Sequence, residues 1–122
     1  MGGIARKAAG NGDQNIKRTG FMLKVRSDML DEYKRRHEAV WPEMLEALSR
    51  NGWHNYSLFM ADDGLIFGYF EADESLEASL AGMENEDANR RWQEMMAPFF
   101  VVPPGALPDQ SMVELDQVFY LD

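Results

Sequence analysis

The spacing of hydrophobic residues changes twice along the chain after residue 20. Phe21, Leu23 and Val25 alternate with side chains that face the other way, which predicts a half-buried first strand. The next segment repeats every three and four residues, as one face of an amphipathic helix does. The positions on that predicted inward face are Leu30, Tyr33, His37, Val40, Trp41, Met44 and Leu48.

The boundaries of this helix are also predicted from the sequence. Ser27 and Asp28 are residues that cap helices, so we expect the helix to begin beside them. Pro42 has no amide hydrogen, so the helix should kink or restart there. Asn51 and Gly52 follow Arg50 and predict its end.

The second half of the chain returns to strands and then to short helices. Residues 53–61 and 65–72 are predicted strands, and the sequence Asp62-Asp63-Gly64 between them predicts a hairpin turn. We expect one helix to begin at residues 73–75 and another at residues 87–89, followed by an irregular connection over residues 99–108. Val113, Leu115 and Phe119 predict a last strand.

The order of these elements predicts an α+β fold with a ferredoxin-like split βαβ sheet and helices on one face. Such a sheet leaves its other face open, and Phe59, Phe67 and Tyr69 would be apolar surface there. We therefore expect a homodimer through the open sheet face. Residues 21–122 form the single predicted domain, and the glycine-rich residues 1–20 are expected to be a disordered extension.

Composition and charge limit the partners of this domain. The 122 residues include no cysteine, and the net charge is −9. The field of such a protein repels nucleic acid and anionic membrane surfaces, so we expect neither as a partner. No stretch has the roughly 18 consecutive apolar residues that cross a bilayer, and a cytoplasmic location is expected.

The predicted helix with Tyr33, His37 and Trp41 has the most distinctive candidates for a catalytic site. These residues are four apart, so a phenol, an imidazole and an indole lie over one another on one face. Imidazole both accepts and donates a proton near neutral pH, so His37 is the candidate catalytic residue. Tyr33 and Tyr56 are candidates for substrate binding through their hydroxyls. The alternative is a structural histidine among amphipathic core tyrosines.

Arg91 and Trp92 form a second candidate site for binding. An indole packs on the apolar face of a pyranose ring, and a guanidinium donates several hydrogen bonds to hydroxyls. The alternative is a core tryptophan beside arginines that pair with surplus carboxylates, and this is the expectation for Arg90. His54 is expected to be structural.

Several chemistries lack the residues that they need. The two histidines are far apart in the sequence and form no metal-binding pair, so no metal site is expected. There is no glycine-rich phosphate loop or dinucleotide fingerprint, so no cofactor is expected. There is no recognisable nucleophile turn, so Ser–His–acid catalysis is not expected either. Acid–base chemistry on a small neutral molecule remains.

Four segments resemble the L-rhamnose mutarotase family. They are Tyr33-Lys34-Arg35-Arg36-His37, Trp41-Pro42-Glu43, Gly52-Trp53-His54-Asn55-Tyr56, and the ending Glu114-Leu115-Asp116-Gln117-Val118-Phe119-Tyr120-Leu121. The likeness runs from about Phe21 to the C-terminus. The combination of the first two blocks with the ending is more specific than any one of them.

The resemblance implies a dimeric α/β barrel that interconverts the α and β anomers of L-rhamnose. It implies His37 as the acid–base residue and Tyr33 and Tyr56 as substrate contacts. Trp92 matches one of two adjacent tryptophans that are usual in the family, and Arg91 replaces the other. The alternatives are a cofactor-independent monooxygenase of the same barrel architecture, with His37 as base, and a sugar-binding module without turnover.

Overall fold

The computed structural model describes residues 16–102 and 105–122. Its strands are β1 (Lys17–Lys24), β2 (Trp53–Met60), β3 (Leu65–Ala72) and β4 (Val113–Leu115). Its helices are α1 (Leu30–His37), α2 (Pro42–Arg50), α3 (Leu76–Met83) and α4 (Asp87–Met96). The strands form one antiparallel sheet in the order β2-β3-β1-β4. Because β3 lies between β1 and β2, this is the predicted split βαβ arrangement, and the α+β ferredoxin-like fold is confirmed.

The first strand begins earlier than the sequence pattern predicted. Lys17 to Gly20 pair with Ala72 to Tyr69 of β3, so these four residues belong to the sheet and not to an extension. Backbone hydrogen bonding to a central strand holds them, although their side chains lack a strong alternation. Residues 1–15 of the predicted disordered extension lie outside the described part of the chain.

The predicted cap of α1 is wrong, whereas the restart at Pro42 is confirmed. Met29 is the residue before α1 and gives no side-chain cap. Asp28 instead accepts a hydrogen bond from Arg26 at 3.0 Å, because the guanidinium is the stronger partner for a nearby carboxylate. Pro42 is the first residue of α2, where the missing amide hydrogen costs nothing.

Turn chemistry sets the ends of the next elements as predicted. Gly52 follows α2 with φ of +82°, and Gly64 closes the β2–β3 hairpin with φ of +93°. Glycine suits both positions because it has no Cβ to clash in the left-handed region. Ser75 caps α3, since its side chain accepts a hydrogen bond from the amide of Ala78 at 3.0 Å.

The last strand is shorter than predicted. Val113 to Leu115 pair with Met22 to Gly20 of β1, and the strand ends there. Phe119 lies beyond it and is 77% exposed. Without a buried face to hold alternate side chains, the apolar pattern after Leu115 does not extend the ladder.

The core lies between one face of the sheet and the helices. Phe21 of β1 and Phe70 of β3 are completely buried there, and their rings are 6.4 Å apart. The other face is open: Phe59 is 60% exposed and Phe67 is 42% exposed. Within the described residues, no helix is long and apolar enough to span a bilayer.

Candidate active site

A cavity of about 360 Å³ lies between the helices and β2. We call it the main cavity, and its size falls within the range of about 300–1,000 Å³ that is usual for small-molecule sites. Its lining residues come from α1, α2, β2, α3, α4 and the segment before β4. They are His37, Val40, Met44, Leu45, Leu48, Trp53, Tyr56, Leu58, Leu80, Met83, Asn89, Trp92, Gln93, Asp109 and Met112.

His37 is the last residue of α1 and lies at the wall of the main cavity. Its Nδ1 atom is 2.9 Å from the carbonyl oxygen of Tyr33, one helical turn earlier. A carbonyl can only accept, so Nδ1 carries the hydrogen and donates it. In the neutral ring, Nε2 is then the nitrogen with the free lone pair. The histidine is therefore held in the tautomer that accepts a proton at Nε2.

Aromatic rings surround the imidazole. The ring of Tyr33 is 4.2 Å from that of His37, and the ring of Trp92 is 5.6 Å away, both edge to face. This burial lowers the pKa of His37, and the hydrogen bond to the Tyr33 carbonyl offsets part of the effect. The imidazole is therefore favoured in its neutral form, as a proton acceptor requires.

Tyr33 and Tyr56 both line a smaller inner hollow of about 50 Å³, together with His37 and Trp92. Tyr56 lines the main cavity as well, whereas Tyr33 does not. Burial raises the pKa of both phenols. Both therefore stay protonated and can offer hydroxyl groups, but they do not readily give up a proton.

Arg91 and Trp92 are consecutive residues of α4, so their side chains point in different directions. Trp92 is buried and lines both spaces, with its ring 5.1 Å from that of Trp41. Arg91 is not among the residues that line the main cavity. Its guanidinium binds Asp87 at 2.9 Å and Glu43 at 3.4 Å, and lies 5.4 Å from the centre of the Trp41 ring.

Three further polar side chains line the main cavity and were not predicted as site residues. Asn89 and Gln93 are one turn apart on the inward face of α4, and both are buried. Asp109 comes from a short turn at residues 108–110 and joins them there. The spacing of Asn89, Trp92, Gln93 and Met96 marks one helical face, so the two amides could have been found from the pattern.

The two remaining polar candidates have partners away from the main cavity. The side chain of His54 is 42% exposed, and its Nε2 atom is 3.0 Å from Asp73 Oδ1. Arg90 pairs with Asp87 and Glu94, as expected. Among the described residues, no group of three or more His, Cys, Asp or Glu side chains is arranged to hold a metal ion.

A neutral imidazole at the wall of an aromatic cavity has the orientation and the protonation state that general acid–base chemistry requires. The family model of L-rhamnose mutarotase matches residues 18–121. The chain therefore belongs to the L-rhamnose mutarotase family, and its class is that of isomerases acting on carbohydrates. The resemblance to this family that the four sequence segments indicated is confirmed.

Individual relatives agree with this assignment. The L-rhamnose mutarotase of Bacillus subtilis is 36% identical over 108 residues, which cover 88% of this chain and 100% of that protein. The L-rhamnose mutarotase of Pectobacterium atrosepticum is 40% identical over 108 residues, covering 86% and 98%.

Solved structures agree in the same way. The L-rhamnose mutarotase of Formosa agariphila superposes with a TM-score of 0.70 at 28% identity, covering 87% of this chain and 99% of that one. A putative antibiotic biosynthesis monooxygenase from Nitrosomonas europaea has a TM-score of 0.55 at 12% identity, over 86% and 92% of the two chains. That second likeness shows the fold alone.

Proposed function

We propose that this protein interconverts the α and β anomers of L-rhamnose, with His37 as an acid–base catalyst. The reaction removes the proton of the anomeric hydroxyl, breaks the bond between C1 and the ring oxygen, and protonates that oxygen. Rotation about the C1–C2 bond and closure on the other face give the second anomer. No electrons are transferred, so two proton transfers are all that the protein must supply.

The observation that carries this proposal is the hydrogen bond between His37 and the Tyr33 carbonyl, at the wall of the main cavity. It gives the ring a fixed orientation and leaves Nε2 to accept a proton. A positioned base of this kind contributes about 10²–10⁴-fold to a rate. That range suits mutarotation, which also proceeds slowly without a catalyst.

The other residues are proposed to bind the sugar. Trp92 offers an aromatic face to the apolar side of the pyranose, and Tyr56 offers a hydroxyl in the same cavity. Tyr33 is proposed to contact the sugar through the inner hollow. Arg91 was expected to bind substrate too; because its guanidinium is paired outside the main cavity, we propose that it supports Trp41 and, through it, Trp92.

Exchange NMR with L-rhamnose tests the function. Added protein should increase the exchange between the two anomeric protons well above the rate in buffer. Saturable binding without faster exchange would favour the sugar-binding module. Oxygen consumption with a quinol, together with unchanged anomer exchange, would favour the monooxygenase.

We further propose that the protein forms a homodimer through the open sheet face, as a dimeric barrel. Phe59 and Phe67 support this because their exposed rings lie 6.3 Å apart on that face. Light scattering after gel filtration should give twice the 14.0 kDa chain mass. Phe67→Lys should give the monomer mass, and a monomeric unmodified protein would contradict the proposal.

The cytoplasmic location and the expected lack of nucleic-acid and membrane partners stay predictions.

A further inference from the structure

A closed set of hydrogen bonds holds one carboxyl group at the wall of the main cavity. Asn89 Nδ2 donates to Asp109 Oδ2 at 3.2 Å, and the Asp109 amide donates to Gln93 Oε1 at 3.1 Å. Gln93 Nε2 completes the ring by donating to Asn89 Oδ1 at 3.2 Å. The two amide side chains are buried, so their positions are fixed by the protein, and their hydrogen bonds fix the position of the Asp109 carboxyl.

Asp109 also lies where the main cavity approaches an outer groove of about 590 Å³. Together with Leu80, Asn89 and Met112, it lines both spaces. Its side chain is half-buried. The carboxyl can therefore face a ligand in the main cavity and still exchange its proton with water in the groove.

The titratable groups that line the main cavity are His37, Tyr56 and Asp109, among the residues that the structure describes. Opening the sugar ring needs one group that takes a proton from O1 and another that gives a proton to the ring oxygen. His37 can perform one transfer. Tyr56 is a poor choice for the other, because burial raises the pKa of its phenol further above neutral pH.

We propose that Asp109 is the second proton-transfer group and acts with His37 on the sugar in the main cavity. This inference rests on the proposed mutarotase function and adds a residue to it. When one group takes the O1 proton, the C1–O5 bond breaks, and the other group protonates O5 to give the open-chain aldehyde. Ring closure on the opposite face reverses both transfers, so each group ends with its original number of protons.

The proton states of the two groups suit this role. Burial raises the pKa of Asp109, aided by the charge of Glu84 and opposed by the Asn89 hydrogen bond, while burial lowers the pKa of His37. The pKa values of the two groups therefore shift toward each other. The reaction needs one group protonated and the other not, so the active pair carries one proton. The other charged groups that line the outer groove beside Asp109 are Glu77, Arg90 and Glu114.

The test uses L-rhamnose and exchange NMR over a range of pH. Activity of the unmodified protein should fall on both sides of a maximum, with the limb of Asp109 above about pH 3.9 and the limb of His37 below about pH 6.5, the ordinary values of the two groups. Asp109→Asn keeps an oxygen for the Asn89 bond but cannot carry the proton. Its kcat should fall about 100-fold or more with KM nearly unchanged. In its pH profile, only the limb that belongs to His37 should remain.

Asp116→Asn serves as the control, because Asp116 is an exposed carboxylate of the C-terminal segment. It should keep the normal rate and both limbs. An Asp109→Asn variant with normal kcat and both limbs would overturn the inference, and so would one that changes KM alone. An unmodified protein that does not accelerate exchange would instead overturn the proposed function.

A second measurement decides the case if Asp109→Asn does not fold. Carbon-13 NMR of the Asp109 carboxyl in the unmodified protein should give an apparent pKa that coincides with one limb of the kcat/KM profile. A carboxyl that titrates outside both limbs would overturn the inference.

Discussion

His37 and Tyr33 make two contacts. The imidazole Nδ1 atom lies 2.9 Å from the Tyr33 carbonyl oxygen, and the two rings pack edge to face with their centres 4.2 Å apart. The backbone bond fixes which nitrogen carries the hydrogen. The ring contact fixes the rotation of the imidazole. Together they orient one proton-accepting nitrogen, Nε2.

Nitrogen-15 NMR of the imidazole should reveal this tautomer directly. At neutral pH, we expect His37 to have its hydrogen on Nδ1, because the Tyr33 carbonyl can only accept. The His54→Gln variant assigns the signals, since the chain has two histidines. A His37 spectrum of the Nε2-protonated tautomer would contradict the proposed orientation.

The lowered pKa of His37 also predicts how its contribution to stability changes with pH. Between the folded value and about 6.5, the ordinary value, the unfolded chain binds more protons than the folded protein. The contribution of His37 is therefore present above about pH 6.5 and is lost as the pH falls through the folded value.

Urea unfolding of the unmodified protein and of His37→Gln measures this contribution. The free energy of unfolding of the unmodified protein relative to the variant should be greater at pH 7.5 than at pH 5. Asp109 is present in both, so its opposite pH dependence largely cancels. A difference that is constant or grows toward low pH would contradict the burial of a neutral imidazole.

The central strands leave no room for a side chain at Gly68. A Cβ there would meet the ring of Phe21, which is completely buried and packed between other rings. Gly68→Ala should therefore lower the free energy of unfolding by about 1–3 kcal/mol. Gly20→Ala is the matched control on the neighbouring strand, because its Cβ would be 3.4 Å from the nearest atom, Phe67 Cε1.

Denaturant unfolding of both glycine variants checks this. The Gly20 variant should remain within about 0.5 kcal/mol of the unmodified protein, because its Cβ would make only ordinary van der Waals contact with the Phe67 ring. Equal losses for the two variants would mean that strand propensity, and not contact with Phe21, decides the cost.

The predicted contact of Arg91 with substrate is tested by Arg91→Gln. Because the guanidinium is exposed and paired with Asp87 and Glu43, the change should cost at most about 1 kcal/mol of stability. If Arg91 acts only by supporting Trp41, KM for L-rhamnose should change by less than about threefold. A tenfold higher KM with unchanged stability would place the guanidinium at the sugar.

Much of the fold follows from local sequence, because turns and periodicity act over a few residues. The sequence Asp62-Asp63-Gly64 and the restart at Pro42 both predict real boundaries. The predicted cap of α1 and the predicted length of β4 are wrong, because the hydrophobic pattern shows neither a competing side-chain partner nor the cover that a strand has in the fold. Asp28 binds Arg26 instead of the helix, and the apolar side chains of Val118 and Phe119, after Leu115, are exposed.

The candidate site also contains residues that the sequence predicted and residues that it did not. His37, Tyr56 and Trp92 meet at the main cavity because strong aromatic and helical patterns place them inward. Asp109 could not be found, because it follows an irregular connection whose path only the folded chain determines. Arg91 is next to Trp92 in sequence, but adjacent helical residues point in different directions, and its carboxylate partners hold it outside the main cavity.

The most direct test compares anomer exchange of L-rhamnose with the unmodified protein, His37→Gln and His54→Gln at equal concentration. Circular dichroism first establishes that all three are folded. We predict that His54→Gln matches the unmodified protein, because His54 is not among the residues that line the main cavity and pairs with Asp73. His37→Gln should lose about 100-fold or more of the exchange rate. Normal exchange by the His37 variant would contradict the account.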